Sequence, residues 1–397
     1  MPRRQVDQLY YITHVVNIPS ILRQGILSHQ RVLSEGVTYE PIYDADIVAN
    51  RKEIQAPNGK SLWSFANVYF QPRNAMLYRV LLRRKVEEVA VLSVSRDILN
   101  SAGAFISMGN AASAYSEIVS ASEKAAAVPQ ILRWISNEYW TEEMGLKRKM
   151  MAECLIPEAV PPEYVHGIFV GSHNAASRVS EILGSAGVGS SPPVAVEPHM
   201  FFLPAREIPV TPLLSVAEGD MFFSRMQSLT VSVNTVGIMG KGLASRAKYQ
   251  FPDVYVVYQD LCRTKKLRMG KPYLYKREKT LDYELAEEPP PELANSETWF
   301  LLFPTKRHWR ENADFEGIDA GLQWVVENYK REGIKSLAVP ALGCGLGRLD
   351  WADVGPLLCD YLSRLNLPVR IYLPAEKKIP DQLLSPEFLL RRTAVTS

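Results

Sequence analysis

The stretch VSVNTVGIMGKGLA at residues 231–244 combines a buried β-strand, a glycine-rich loop and the start of a helix. The apolar and β-branched residues through Val233 predict the strand, and residues 243–249 predict the helix. Three glycines within six positions let backbone N–H groups crowd around an anion, and the positive end of the helix dipole adds to the attraction. The spacing is neither G-x-G-x-x-G nor G-x-x-x-x-G-K-[ST], which excludes the Rossmann and P-loop motifs. The stretch therefore predicts a phosphate-binding loop in an α/β domain.

A second stretch of the same kind, SLAVPALGCGLGRLDW, lies at residues 336–351. A short apolar strand again leads into closely spaced glycines, and residues 351–362 predict the helix that follows. Two strand–loop–helix units in one α/β domain can hold a pyrophosphate from both sides. A single glycine-rich loop is weak evidence, whereas a pair at this spacing strongly favours a diphosphate ligand.

These two loops, together with FPTKRHWR at residues 303–310, resemble the macrodomain of the DarG family of DNA ADP-ribosyl glycohydrolases. The resemblance covers residues 217–376 and implies a three-layer α/β/α fold with ADP-ribose as its ligand. It implies that ADP-ribose contacts these residues of the two loops: Asn234, Gly237, Gly240, Lys241, Gly242, Gly343, Cys344, Gly345, Leu346 and Gly347.

Lys306 follows a predicted buried strand at residues 299–303. Ligands in open α/β sheets bind where strands end, so we expect its side chain to face the two loops. From the residues alone, the basic run at 306–310 serves equally well as a phosphate-positioning cluster without a covalent role. The resemblance to DarG implies that Lys306 is the catalytic residue. We expect Asp350 to cap a loop, and Asp220 is a candidate for holding adenine.

The overall composition limits the fold class and the cell compartment. The 397 residues suffice for two domains with separate cores, and 47% apolar and 22% charged residues are ordinary for a globular protein. A net charge of +2 requires no acidic partner, so a nucleic-acid surface must come from local charge clusters. The four cysteines lie far apart and predict neither disulfides nor a metal site, which fits a reducing cytoplasm. We find no apolar run of about 20 residues and no leader, and expect no membrane span.

The first polar cluster of the N-terminal half lies where a strand meets a helix. Residues 9–14 predict a β-strand, and a short helix follows and ends before Gly25. Thr13, His14 and Asn17 therefore gather at the junction, a usual place for a binding site. The alternative is structural, with Asn17 capping the helix and His14 half buried as a spacer.

Residues 32–58 lack a clear period and predict a long ordered loop with a helical turn, which carries Arg51. Without further information, Arg51 is interpreted as a solvent-exposed charged residue without a functional role. A helix is predicted to begin behind Pro72, and residues 78–85 and 86–94 predict two strands.

Glu153 is the single charge on a predicted buried strand at residues 151–156. A carboxylate on an apolar strand is costly unless it is paired, so it indicates either chemistry or a buried ion pair. The run Lys147, Arg148 and Lys149 precedes it and places cations where an anionic substrate such as DNA approaches.

The N-terminal half resembles the DarT family of DNA ADP-ribosyltransferases over residues 1–203. The resemblance rests on YITH with Asn17 at residues 11–17, on Arg51, on PRNAMLY at 72–78 and on MAECLIP at 151–157. It implies an NAD-dependent transferase that acts on a base of single-stranded DNA, with Glu153 as the catalytic glutamate and Arg51 as its electropositive partner. A carboxylate near the ribose stabilises the oxocarbenium character that develops when nicotinamide leaves. The residues that the resemblance assigns to NAD are Thr13, His14, Asn17, Gly25 and Tyr78.

The sequence thus predicts a mixed α+β transferase domain at residues 1–203, a proline-containing linker at 204–216, a macrodomain at 217–376 and a C-terminal tail at 377–397. We expect a toxin–antitoxin fusion in which the second domain removes the ADP-ribose that the first one adds. We also expect contact between the two fused domains to restrain the transferase in place of a separate antitoxin protein. Thymidine is the preferred base and guanosine the alternative. The other hypotheses are transfer to RNA or protein and a second domain that binds ADP-ribose without cleaving it.

Overall fold

The computed structural model of the protein describes residues 7–43, 45–289, 297–374 and 377–391. The chain forms two compact units, one made of residues 1–202 and 285–289 and the other of residues 203–284 and 290–397. None of the helices within the described ranges is long and apolar enough to cross a membrane.

The first unit is built on a mixed sheet with the strand order β10-β9-β4-β1-β3-β7-β5-β6 among the described residues. Most residues of its central strands are buried on both faces, as expected for strands covered by helices. The strands, including the separate pair β2–β8, are β1 Gln8–His14, β2 Ile26–Leu27, β3 Phe65–Tyr69, β4 Val89–Ser95, β5 Phe105–Ser107, β6 Ile118–Ser120, β7 Glu153–Pro157, β8 Ala159–Val160, β9 Val165–Val170 and β10 Val194–Val196.

The helices of the first unit correct two expectations. They are α1 Ile18–Gln24, α2 His29–Ser34, α3 Ala45–Glu53, α4 Ala75–Arg83, α5 Lys124–Ile135, α6 Leu146–Lys149 and α7 His173–Ser185. The loop expected at residues 32–58 contains the last three residues of α2 and all of α3. The strand expected at 78–85 is wrong, because the helix α4 continues to Arg83. The buried Asn74 caps α4 by accepting hydrogen bonds from Met76 N and Leu77 N, each at 3.0 Å, so this apolar run is helical.

The second unit is built on a sheet with the strand order β11-β12-β17-β16-β13-β15-β14. Neighbours from β12 to β15 pair in parallel, and the edge strands β11 and β14 pair antiparallel. These strands are β11 Arg206–Pro209, β12 Leu214–Glu218, β13 Ser228–Asn234, β14 Tyr273–Tyr275, β15 Trp299–Lys306, β16 Leu337–Pro340 and β17 Val369–Tyr372. Since parallel strands end at one edge, the loops after β16, β13 and β15 lie side by side.

The helices of the second unit follow the strands as the sequence indicates. They are α8 Gly242–Gln250, α9 Pro252–Arg263, α10 Asp282–Leu285 (whose last residue counts with the first unit), α11 Phe315–Glu332, α12 Trp351–Leu362 and α13 Pro386–Leu389. The helices expected after the two glycine-rich loops are both present, as α8 and α12.

Two segments at the borders of the second unit are more ordered than the sequence indicates. Residues 204–216, expected as a linker, form β11 and the start of β12, and prolines are tolerated there because β11 is an edge strand. Residues 377–391, expected as part of a tail, contribute the buried Leu384 and Leu389 to the core around α12. The rest of that tail lies outside the described residues.

Candidate active sites

Glu153 lies at the start of β7, in the middle of the first sheet, and is fully buried. Arg51, on the last turn of α3, meets its carboxylate with two nitrogens, Nη1 at 3.3 Å from Oε1 and Nη2 at 3.1 Å from Oε2. Burial works against the charge of the guanidinium, but the carboxylate outweighs it and raises the pKa of Arg51. The sequence predicts either a catalytic role or a buried ion pair for Glu153. The structure shows that Arg51 and Glu153 are in direct contact, so the ion pair is present.

A backbone group completes the surroundings of Glu153. Ala111 N donates a hydrogen bond of 2.8 Å to Glu153 Oε1. The neighbouring Tyr69 lies opposite Glu153 on β3, and burial together with the negative carboxylate raises the pKa of its hydroxyl. The carboxylate is therefore held in one orientation by donors from two sides, which suits a group that must act at a fixed point.

Thr13, His14 and Asn17 gather at the end of β1, as the sequence predicts, and Thr13 and His14 are buried. His14 Nδ1 accepts a hydrogen bond from Val16 N at 3.3 Å, and burial lowers the pKa of its imidazole. Asn17 does not cap α1. Its side chain instead holds the backbone of Glu40 in both directions, with Nδ2 at 2.8 Å from Glu40 O and Oδ1 at 2.8 Å from Glu40 N. The cluster thus ties residue 40 to the end of β1.

Gly25 and Tyr78, also assigned to NAD by resemblance, have clear structural positions. Gly25 ends α1 with a φ of 87°, and a side chain there would collide with the carbonyl group of Val160. The Tyr78 ring is buried edge-on against Phe202, with ring centroids 5.2 Å apart.

The cations Lys147, Arg148 and Lys149 form the short helix α6, and each meets a partner within the unit. Lys147 Nζ lies 2.9 Å from Glu142 Oε1, and the side chain of Lys147 is largely buried. Arg148 Nη1 lies 2.9 Å from Ser116 Oγ, and Lys149 Nζ lies 5.3 Å from the centre of the Trp134 ring. The contact with Ser116 joins Arg148 to the loop that carries Ala111, whereas Lys147 and Lys149 are held by residues outside that loop.

Asn234, at the end of β13, organises the first glycine-rich loop. Its Oδ1 accepts hydrogen bonds from Val236 N at 3.0 Å and Ile238 N at 3.4 Å, and its Nδ2 donates to Ile238 O at 2.6 Å. The Tyr258 hydroxyl donates to Asn234 O and Oδ1, at 3.0 and 2.8 Å. Sequence reasoning missed Tyr258, because nothing in its neighbourhood distinguishes it from an ordinary core tyrosine.

The remaining predicted residues of the first loop lead into α8. Gly237 and Gly242 have φ values of 83° and 60°, which favour glycine. Lys241 is exposed at the start of α8, and Gly240 precedes it. A side chain on Gly242 would lie 3.5 Å from Leu346 Cδ1, so the two glycine-rich loops face each other.

The second loop is folded tightly on itself. Gly343 has a φ of 76°, and a Cβ on Gly347 would lie 2.5 Å from Gly343 O and 2.8 Å from Ala313 Cβ. Among the hydrogen bonds of the described residues, none is donated by the N–H groups of Gly345, Leu346 and Gly347. Three successive donors of this kind can bind an anionic group. The Cys344 thiol is buried, which raises its pKa to about 12, so only the backbone of Cys344 is suited to contact a ligand.

Lys306 ends β15 and reaches the second loop. Its Nζ donates to Leu346 O at 3.4 Å and to Glu311 O at 3.0 Å. Burial, together with the nearby Arg348, lowers the pKa of the Lys306 ammonium group, and Glu311 partly opposes this shift. The sequence-based expectation that Lys306 faces the loops agrees with this geometry.

The two candidate acids of the second unit are both engaged. Asp350, expected to cap a loop, caps the helix α12 instead, because its Oδ1 accepts from Ala352 N at 3.1 Å. Asp220 Oδ1 accepts from Phe222 N at 3.1 Å, and its Oδ2 lies 2.7 Å from Arg246 Nη1. In the ranges that the structure describes, no group of three or more His, Cys, Asp or Glu side chains is arranged to hold a metal ion.

Glu287 is a second residue that sequence reasoning missed, because it lies in a charged segment far along the chain. It belongs to the first unit, where its Oε1 accepts from Asn110 Nδ2 at 3.0 Å and its N donates to Ala75 O at 3.1 Å. Arg79 Nη1 donates to Glu287 O at 2.8 Å and also to Glu288 O. Burial raises the pKa of Glu287, and Lys147 opposes this shift. The chain between residues 265 and 289 supplies β14, α10 and this segment.

The fold and the two sites define an ADP-ribosyltransferase-like unit followed by a macrodomain. Residues 10–202 match the family model described as ssDNA thymidine ADP-ribosyltransferase, DarT, and residues 297–358 match the Macro domain model. The chain belongs to the family of DNA ADP-ribosyl transferase–DNA ADP-ribosyl glycohydrolase fusion proteins, because a member from Thermosipho africanus is 55% identical over 386 residues, 96% of this chain and 98% of its own length.

Two further comparisons agree with this family. The solved structure of Thermosipho africanus DarTG in complex with ADP-ribose has a TM-score of 0.91 at 55% identity, and the match covers 96% of this chain and 99% of that one. A DNA ADP-ribosyl glycohydrolase of Thermus aquaticus is 33% identical over 41% of this chain and 42% of its own length. The resemblance to DarT and DarG and the predicted fold class are confirmed.

Proposed function

We propose that this chain transfers ADP-ribose from NAD to a thymidine of single-stranded DNA through residues 1–203 and removes it again through residues 217–376. The observation that carries the proposal is that one chain holds two such sites. Lys306 contacts the second glycine-rich loop, and the buried Glu153 is paired with Arg51. The family to which the chain belongs unites the same two activities. We place the reaction in the cytoplasm, where NAD and DNA are both present and free thiols such as Cys154 and Cys359 persist.

In the transfer step, the bond between the ribose C1″ and nicotinamide breaks, and a base nitrogen forms the new bond to C1″. The proton of that nitrogen passes to Glu153, whose carboxylate also stabilises the positive charge that develops on the ribose. Arg51 orients the carboxylate through two nitrogens. Thr13, His14, Asn17, Gly25 and Tyr78 form the NAD-binding part of this proposal, and Lys147, Arg148 and Lys149 form its DNA-binding part.

In the removal step, water cleaves the bond between C1″ and the base, so that the ribose gains the oxygen and the base regains its proton. Lys306 acts at the ribose carbon, either by attack or by polarisation. The two glycine-rich loops hold the diphosphate of ADP-ribose through backbone N–H groups. Those of Gly345, Leu346 and Gly347 are available for this role.

The test uses the full chain and two single variants, with labelled NAD and short single-stranded DNAs that differ in base content. Lys306→Ala is expected to accumulate label on thymidine-containing DNA, because removal stops while transfer continues. Glu153→Gln is expected to give no label. Matched exposed controls are Glu163→Gln and Lys335→Ala, which should behave like the unmodified chain.

Digestion of the product identifies what was modified. Label that resists DNase and follows protein or RNA would refute DNA as the acceptor, and label on thymidine-free, guanosine-containing DNA would replace thymidine. If Lys306→Ala releases ADP-ribose as fast as the unmodified chain, the lysine has no catalytic role. The second unit would then remove ADP-ribose only if another residue catalyses the reaction.

A further inference from the structure

The chain beyond β15 makes a tight turn next to the catalytic lysine. Glu311 N donates to His308 O at 3.1 Å, which closes a β-turn, and His308 N donates to Glu311 Oε2 at 3.2 Å. Arg310 N donates to His308 Nδ1 at 3.3 Å. Trp309 and Arg310 occupy the two central positions, so their side chains project from the turn.

The side chains of His308, Trp309 and Arg310 form an exposed aromatic and cationic surface. We call this segment the 308–310 turn. Trp309 keeps 45% of its surface exposed. The Arg310 guanidinium lies 4.6 Å from the centre of its indole, and the His308 ring lies 5.4 Å away at an interplanar angle of 32°. Arg307 adds a second guanidinium, whose side chain is 72% exposed and whose Nη1 lies 3.5 Å from Asp314 Oδ2. A large apolar ring with exposed cations beside it is suited to a ligand that has flat rings and negative charge.

This surface is fastened to both glycine-rich loops. On one side, Thr235 N and Oγ1 donate to Arg307 O at 3.2 and 2.9 Å. On the other side, Ala313 N donates to Gly347 O at 2.9 Å, and Lys306 Nζ donates to the carbonyl of Glu311 in the turn itself. The 308–310 turn therefore has a fixed position at the rim of the proposed ADP-ribose site.

We propose that the 308–310 turn binds the DNA strand next to the modified nucleotide, with a neighbouring base stacked on Trp309 and with Arg307 and Arg310 facing backbone phosphates. The inference rests on the proposed removal of ADP-ribose from DNA and extends it from the ADP-ribose to the strand that carries it. Charge complementarity favours a nucleic-acid strand as the occupant, because exposed arginines accompany the indole. Stacking is tolerant of sequence, since every base has a flat face.

The experiment compares two substrates of the full chain, an ADP-ribosylated single-stranded oligonucleotide and the ADP-ribosylated mononucleoside. Trp309→Ala is expected to raise KM for the oligonucleotide roughly 5- to 150-fold, the range of one lost base–aromatic stacking contact, with little change in kcat. KM and kcat for the mononucleoside should stay unchanged. Trp309→Phe should restore most of the affinity, and Arg310→Gln should weaken the dependence of KM on salt concentration.

Tyr273→Ala is the matched control, because Tyr273 is a similarly exposed aromatic residue (40%) elsewhere in the same unit. Equal losses on both substrates in Trp309→Ala would overturn the inference, since the turn would then act only through Lys306. Unchanged KM on both substrates would overturn it as well. If the unmodified chain releases ADP-ribose from neither substrate, the proposed function fails first and the inference fails with it.

Discussion

Arg51 and Glu153 lie 102 residues apart in the chain, yet two guanidinium nitrogens of Arg51 face both carboxylate oxygens of Glu153. The pair is asymmetric, because the carboxylate also accepts a hydrogen bond from Ala111 N, whereas the arginine side chain keeps 14% of its surface exposed. Arg51 is therefore at the accessible side of the pair, and in the proposed transfer step the substrate approaches from that side.

Removing Arg51 is expected to cost more stability than removing both partners. Arg51→Met leaves a buried carboxylate without its cation and should lower the free energy of unfolding by about 3–5 kcal/mol. The double variant Arg51→Met/Glu153→Gln has no uncompensated buried charge, so its free energy of unfolding should fall clearly less than that of Arg51→Met. Urea unfolding of the four proteins of this cycle measures the coupling, and additive losses would show that the two residues do not stabilise each other.

The Lys306 amine gives a pH dependence whose sign follows from its lowered pKa. If the neutral amine acts at the ribose carbon, kcat for removal should rise with pH and level off below the pH of about 10.5 that an ordinary lysine requires. A pH–rate profile of the full chain on an ADP-ribosylated oligonucleotide measures the inflection. A flat profile would contradict attack by the amine and leave polarisation by the ammonium group.

The same shift has a consequence for stability. Because the unfolded state holds the proton more tightly than the folded state, the cost of the folded ammonium is fully present below the folded pKa and is relieved as pH rises towards 10.5. Lys306→Met should therefore be more stable than the unmodified chain at neutral pH, and the difference should shrink at high pH. Thermal unfolding at a series of pH values tests the trend, and a difference that grows with pH would refute it.

Gly347 and Gly345 form a matched pair within one loop. A Cβ on Gly347 collides with Gly343 O and Ala313, whereas one on Gly345 meets no atom within 4 Å. Gly347→Ala should lower the free energy of unfolding by about 1–3 kcal/mol and weaken ADP-ribose binding. Gly345→Ala should change stability by no more than about 0.5 kcal/mol. Calorimetry measures both quantities, and equal losses in the two variants would show that the crowding is relieved by movement of the loop.

Tyr258 is expected to position Asn234 and through it the first glycine-rich loop. Tyr258→Phe removes the hydroxyl that donates to Asn234 and should cost about 1–2 kcal/mol of stability, together with a loss of ADP-ribose affinity. Tyr255→Phe, one turn earlier on α9, is the control, because the exposed Gln259 is the one hydrogen-bond partner of its hydroxyl among the described residues. Unchanged affinity in Tyr258→Phe would show that Val236 and Ile238 suffice to hold Asn234.

What the sequence predicts best is what the chain encodes locally. The glycine-rich loops and the helices after them follow from the spacing of glycines and apolar residues, and the direction of Lys306 follows from the rule that parallel strands end at one edge. The burial of Glu153 was readable because a lone carboxylate interrupts an apolar strand, and such a carboxylate requires a partner.

The identity of that partner and the finer contacts depend on distant parts of the chain. Arg51 comes from a segment whose weak period concealed α3, and Ala111 acts through its backbone, which leaves no trace in the sequence. The apolar run after Asn74 fits a strand and a helix equally well until the cap formed by Asn74 is considered. Asn17 has the residue type of a cap, but tertiary contact directs it to Glu40 instead.

Residues 285–289 also bear on the order in which a new molecule becomes complete. These residues belong to the first unit, but the ribosome makes them only after β11 to β14 of the second. At ordinary rates of protein synthesis the wait after residue 202 is on the order of ten seconds. The transferase unit of a nascent chain therefore lacks residues 285–289 until residues 203–284 of the macrodomain unit have been synthesised.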